Sequence, residues 1–101
     1  MQRIGFRMRI KPGCEAIYKE KHDQIWPEMI EYLRDQGITT YTIFRDGLDL
    51  FAYMETSSPT DPDAPVDPVL QRWWKMMEPY MEYEADHRPR VWGMTEVFHF
   101  E

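Results

Sequence analysis

A single cysteine, Cys14, occurs in the 101-residue chain, so no intrachain disulfide can form and a reducing, cytoplasmic setting is expected. It follows "KPG" with no recognisable catalytic context, which reads as a structural residue rather than a nucleophile. Five dispersed glycines leave no Gly-rich phosphate loop, and nucleotide cofactors are not expected. No apolar run approaches the length of a membrane span, and no basic-then-apolar leader opens the chain, so neither a membrane partner nor secretion is expected. Positive charge is also scarce. Twelve Lys and Arg against 18 Asp and Glu give a net charge of −6, which argues against a nucleic-acid partner. His22, His87 and His99 are scattered, with no His-x-His, HExxH or CxxC spacing, so no metal site is expected.

Aromatic residues are abundant, at 15% of the chain. They bury large areas in cores but also line pockets and interfaces. "RIGFRMRI" places Ile4, Phe6, Met8 and Ile10 on one face and Arg3, Gly5, Arg7 and Arg9 on the other, the period of a half-buried strand. From Cys14 to Gln36 the period becomes helical, with Tyr18, His22, Ile25, Trp26, Met29 and Leu33 on one side. Pro27 lacks an N–H and pushes Trp26 out of helical angles, so a kink or break is expected near residues 23 to 27, with Gly37 as the stop. "ITTYTIF", "RDG" and "LDLFAYME" read as a hairpin. The Pro/Asp-rich stretch from Thr56 to Pro68 reads as a long loop, either disordered or a functional cover. A helix over "VLQRWWKMMEPYM", a polar connection "EYEADHRPR" and a closing strand "VWGMTEVFHFE" complete the chain.

The order β-α-β-β-α-β is that of a ferredoxin-like α+β domain spanning residues 1–101, with one antiparallel sheet and helices on one face. Apolar residues on the second sheet face, Phe51 and Tyr53 among them, predict a cover supplied by a second copy of the chain, a homodimer.

His22 is the best single candidate for chemistry, because imidazole exchanges protons near neutrality. Tyr18 precedes it by four residues and Trp26 follows by four, so an unbroken helix would align all three. The same stripe holds Ile25, Met29 and Leu33, and spacing alone fits a packed core histidine better. Trp73 and Trp74 are neighbours about 100° apart on a helix, so they cannot share one face. Either both serve a ligand, as flat indoles do against a pyranose ring, or one fills the core and one an interface.

"YKEKHDQIWPEM", "GITTYTIF" and "QRWWKMM" together resemble the L-rhamnose mutarotase family, in order and along essentially the whole chain. The resemblance implies a dimeric α+β barrel and interconversion of the α and β anomers of L-rhamnose, without cofactor or metal. It implies His22 as the proton donor, protonating the ring oxygen, with Tyr18, Tyr41, Trp73 and Trp74 binding the sugar. Met76, Met77 and Met81 would offer adaptable apolar surface to the deoxysugar's methyl group. The second acid–base group stays open between Tyr18, a carboxylate such as Asp23, and water. Rival readings on the same fold are a cofactor-free or haem-dependent monooxygenase and a non-catalytic sugar-binding dimer.

Overall fold

The computed structural model describes residues 1–58 and 63–101, so Pro59, Thr60, Asp61 and Pro62 of the Pro/Asp loop lie outside the described residues. Strand β1 spans Gln2–Arg9 and is followed by helices α1 (Glu15–Asp23) and α2 (Pro27–Asp35). Strands β2 (Ile38–Asp46) and β3 (Asp49–Thr56) form the hairpin. Helix α3 (Pro68–Met77), a 3₁₀ turn over Glu78–Tyr80 and strand β4 (Trp92–Met94) follow. The four strands make one sheet in the order β2-β3-β1-β4, with every neighbouring pair antiparallel.

The expected break falls where proline chemistry requires it. Trp26 is extended, at φ −64° and ψ 139°, and Pro27 opens α2 at its first turn, where its missing N–H costs nothing. The Trp26 carbonyl accepts from the amides of Met29 and Ile30 and so starts the second helix. At the other end Gly37, at φ +79°, turns the chain into β2. The hairpin closes through Gly47–Leu48, with Gly47 at φ +63°, the position that a type II′ turn reserves for glycine.

Register assigns the two sheet faces. Met8 opposes Leu50 and Phe6 opposes Ala52, which places one face of the central strands under the helices. There Met8, Ile10, Leu50 and Ala52 join Tyr18, Met29, Val69, Trp73, Met77 and Met81 in one buried cluster. The opposite face carries the arginines of β1, the Phe44–Phe51 cross-strand pair, Tyr53 and Met94. It is open, and Phe44 is 66% exposed.

Two expectations are corrected. The second helical stretch ends at Met77, and the remainder tightens into the 3₁₀ turn at Pro79. The closing strand is three residues long, not eleven. Its antiparallel register sets Met94 against Gly5, and the Arg3–Glu96 ion pair at 2.7 Å extends that alignment. Continued in that register Val97 would face Gln2, the first residue of β1, so Phe98 to Glu101 run past the strand they would have to pair with. Val97, Phe98 and Phe100 are exposed.

Gly37 tests the local geometry. A Cβ at this position would lie 2.7 Å from Ser58 Oγ and 2.9 Å from Ser57 Oγ, in a left-handed conformation. The Gly37 carbonyl also accepts from the amide and hydroxyl of Ser57, tying β2 to the end of β3. Gly37→Ala is expected to lower unfolding stability by about 1–3 kcal/mol in urea titration, from left-handed strain plus serine displacement. An unchanged midpoint would contradict this.

Candidate functional site

Between the helices and the covered sheet face lies a cavity of about 530 Å³. All five residues singled out in the sequence, Tyr18, His22, Tyr41, Trp73 and Trp74, line it. They come from three elements. Tyr18 and His22 are one helical turn apart on α1 and point the same way. Tyr41 stands on β2, in register with Met54, on the face that meets the helices. Trp73 and Trp74 come from α3, whose start is fixed by Asp67, its Oδ1 accepting from the Val69 amide at 2.9 Å.

The rings make contact. Tyr18 stacks on His22 with centroids 4.3 Å apart and planes 29° from parallel. Trp73 meets His22 edge-on at 5.3 Å and Trp26 edge-on at 5.2 Å. Trp73 is buried, whereas Trp74 is partly open. The adjacent tryptophans do point apart, and the cavity is wide enough for both to reach it. Trp26 does not line the cavity. Because Pro27 breaks the helix, the expected Tyr18–His22–Trp26 stripe ends at His22, and Trp26 supports Trp73 from behind.

His22 Nδ1 lies 3.0 Å from the Tyr18 carbonyl oxygen. A carbonyl can only accept, so Nδ1 carries the hydrogen and Nε2 is left as the other ring position. Burial lowers the His22 pKa below its ordinary 6.5, partly offset by the bond to the Tyr18 carbonyl and by Asp23. Burial pushes the Tyr18 phenol well above its ordinary 10, with the Tyr41 and Tyr83 hydroxyls adding to the rise. Burial also takes Tyr41 up to about 12. Neither the Tyr18 nor the Tyr41 hydroxyl bonds to another protein group among the described residues.

Four charged residues also line the cavity, the half-buried Glu15 and the exposed Lys19, Asp23 and Arg45. Lys19 pairs with Asp23 at 2.9 Å, and both are exposed. Besides these the lining presents an imidazole, phenol hydroxyls and indoles among apolar side chains, groups suited to a neutral polyol with one apolar substituent. Met77 and Met81 contribute apolar surface here, whereas Met76 packs elsewhere against the core. No described residue of the Thr56–Pro68 loop lines the cavity, and no group of three His, Cys, Asp or Glu among the described residues could hold a metal ion.

Sequence reasoning missed Tyr83, in the polar connection after the 3₁₀ turn. Its hydroxyl donates to the Trp74 carbonyl at 2.6 Å, and its ring joins the cavity wall. Arg88 adds a guanidinium 5.6 Å from the Trp74 ring centre. Their segment folds back on itself through the Glu84 amide to the Arg88 carbonyl and the Arg90 amide to the Glu82 carbonyl. The "EYE" context carries no periodic signal, and only the tertiary fold brings Tyr83 to Trp74.

A family model described as L-rhamnose mutarotase matches residues 3–100. The chain is similar to the L-rhamnose mutarotase of Jannaschia sp. (strain CCS1), at 39% identity over 98% of each chain. It is 38% identical to that of Rhizobium meliloti (strain 1021), over the full length of both. The crystal structure of the L-rhamnose mutarotase of Formosa agariphila superposes with a TM-score of 0.91 at 34% identity, covering 100% of both chains. Matched end to end in sequence and in fold, the chain belongs to the L-rhamnose mutarotase family.

Proposed function

We propose that this protein interconverts the α and β pyranose anomers of L-rhamnose by acid–base ring opening and closure. The observation that carries the reading is the convergence of Tyr18, His22, Tyr41, Trp73 and Trp74 on one cavity, where groups able to transfer protons stand among indoles and apolar side chains. Mutarotation moves one proton off the anomeric hydroxyl and one onto the ring oxygen, after which the C1–O5 bond opens to an aldehyde. Rotation about C1–C2 and closure on the other face complete the cycle. His22 is the catalytic group at the reacting oxygens. Tyr18, Tyr41, Trp73 and Trp74 hold the sugar, the indoles against its C–H-rich faces and the phenols on its hydroxyls. The single cysteine fits a cytoplasmic location.

Saturation-transfer proton NMR between the anomeric signals of L-rhamnose is the direct test. Wild-type protein should accelerate exchange, and His22→Ala should reduce the acceleration by about 10²–10⁴-fold. No acceleration by wild type would end this reading, and a haem titration would then be informative.

The homodimer is part of the same proposal. The open sheet face presents Phe44, Phe51, Tyr53 and Met94, and the unpaired tail adds Val97, Phe98 and Phe100. Arg3, Arg7 and Arg9 alternate there with Asp49, Glu82 and Glu96, so the surface carries both charges and can complement a copy of itself. An apolar patch of this kind on a strand face is covered in solution more often than left wet. Sedimentation velocity should report a dimer for the wild type. Phe44→Glu, which alters a solvent-facing side chain of the isolated chain, should give a folded monomer. A wild type that stays monomeric at high concentration would refute the dimer.

A further inference from the structure

We propose that Tyr83 and Arg88 are positioning residues for Trp74, one acting on its backbone and the other on its ring, and that together they set the affinity of the cavity for its sugar. The proposal rests on the mutarotase reading above.

The two tryptophans of α3 are held differently. Trp73 is buried, with His22 and Trp26 edge-on against it. Trp74 is half-buried, and among the described residues no aromatic ring is in contact with its own. An indole at an open wall keeps its rotamer freedom unless something removes it, and a sugar that must order it binds more weakly. Trp74 also stands in the last turn of α3, where helices fray.

The restraint comes from the polar connection after the 3₁₀ turn. The Tyr83 hydroxyl donates to the Trp74 carbonyl at 2.6 Å, and the same oxygen accepts from the Glu78 amide. A carbonyl near a helix end lacks some of its usual partners, and here both lone pairs are used. Arg88 sets its guanidinium 5.6 Å from the centre of the Trp74 ring, and Asp86 Oδ2 lies 3.5 Å from that guanidinium. His87 Nδ1, 2.7 Å from Glu78 Oε2, ties the connection to the cap of α3. Three side chains within residues 83–88 thus reach the end of one helix.

The backbone of the connection is shaped for this. The Glu84 amide donates to the Arg88 carbonyl and the His87 amide to the Glu84 carbonyl, closing a tight turn. His87 is left-handed, at φ +66°, the one residue other than glycine to be so among the described residues. A β-carbon disfavours that conformation, so it persists where surrounding contacts outweigh the cost.

The two restraints also leave the indole available. Tyr83 belongs to the wall of the sugar cavity, with its hydroxyl spent on the carbonyl. Arg88 belongs to a second hollow of about 470 Å³, and Trp74 is the one residue common to both linings. The guanidinium therefore meets the indole from outside the sugar cavity.

Tyr83→Phe removes the hydrogen bond and keeps the ring in the wall. A tryptophan that grips the sugar alike before and during ring opening acts on KM and not on kcat. KM for L-rhamnose, from exchange rates at rising sugar concentration, should rise about 3–10-fold, with kcat changed less than about twofold. Arg88→Met, which keeps an apolar stem, should raise KM about 2–5-fold. Neither effect should survive in a Trp74→Ala background, where no indole remains to be positioned. In protein carrying 5-fluorotryptophan, lines are assigned by their loss in Trp74→Phe and Trp26→Phe. The Trp74 line should shift or broaden in both Tyr83→Phe and Arg88→Met, while the Trp26 line stays in place. The proposal is overturned by a KM effect that persists without the Trp74 indole, by a loss confined to kcat, by wild-type KM in both variants, or by a Trp74 line that does not move. A wild type without acceleration removes the mutarotase reading instead, and the fluorine line alone then decides whether Tyr83 and Arg88 position Trp74.

Discussion

The Trp73 indole is the contact on which the helical layer depends. It meets His22 of α1 and Trp26 at the head of α2, both edge-on, at 5.3 and 5.2 Å. One side chain of α3 therefore fixes the other two helices relative to itself. Each such pair contributes about 0.5–1.5 kcal/mol beyond its buried area, so the junction matters as much for orientation as for stability. It also explains why core and cavity cannot be separated here. The ring that closes the core behind Trp26 is the one that holds the imidazole upright against Tyr18.

Much of the fold could be read from the sequence, because the controlling terms are local. Alternation in β1 survives as a two-faced strand, since a period of two admits no other packing against a single helical layer. Pro27 breaks the long helix where its missing N–H and its effect on Trp26 require, and Gly37 ends it in a left-handed turn. The closing strand misled for the opposite reason. "VWGMTEVFHFE" alternates convincingly, but a strand exists only where a neighbour offers hydrogen bonds, and β1 ends before residues 98 to 101 are reached. Pairing is a property of two segments, and a pattern in one of them does not establish it.

The site divides along the same line. Tyr18 and His22 were visible because four residues on a helix make neighbours, and the structure stacks them. Trp26 appeared to continue that stripe and does not, because helical spacing has no meaning across the break. Tyr83 left no trace in the sequence. Its hydroxyl reaches the Trp74 carbonyl from a segment nine residues on, whose path is set by backbone bonds inside a polar connection. Residues that act within one element are legible from spacing, whereas those that brace another element are found only in the fold.

A single physical cause, desolvation, links the helical core to the proposed chemistry. Burial disfavours whichever form of a group is charged, so it lowers the pKa of His22 and raises those of Tyr18 and Tyr41. The aromatic groups of the cavity thus rest neutral, while the charge in its lining sits on Glu15, Arg45 and the Lys19–Asp23 pair. A neutral sugar then enters without having to displace a buried ion pair or leave one unpaired, which would cost several kcal/mol.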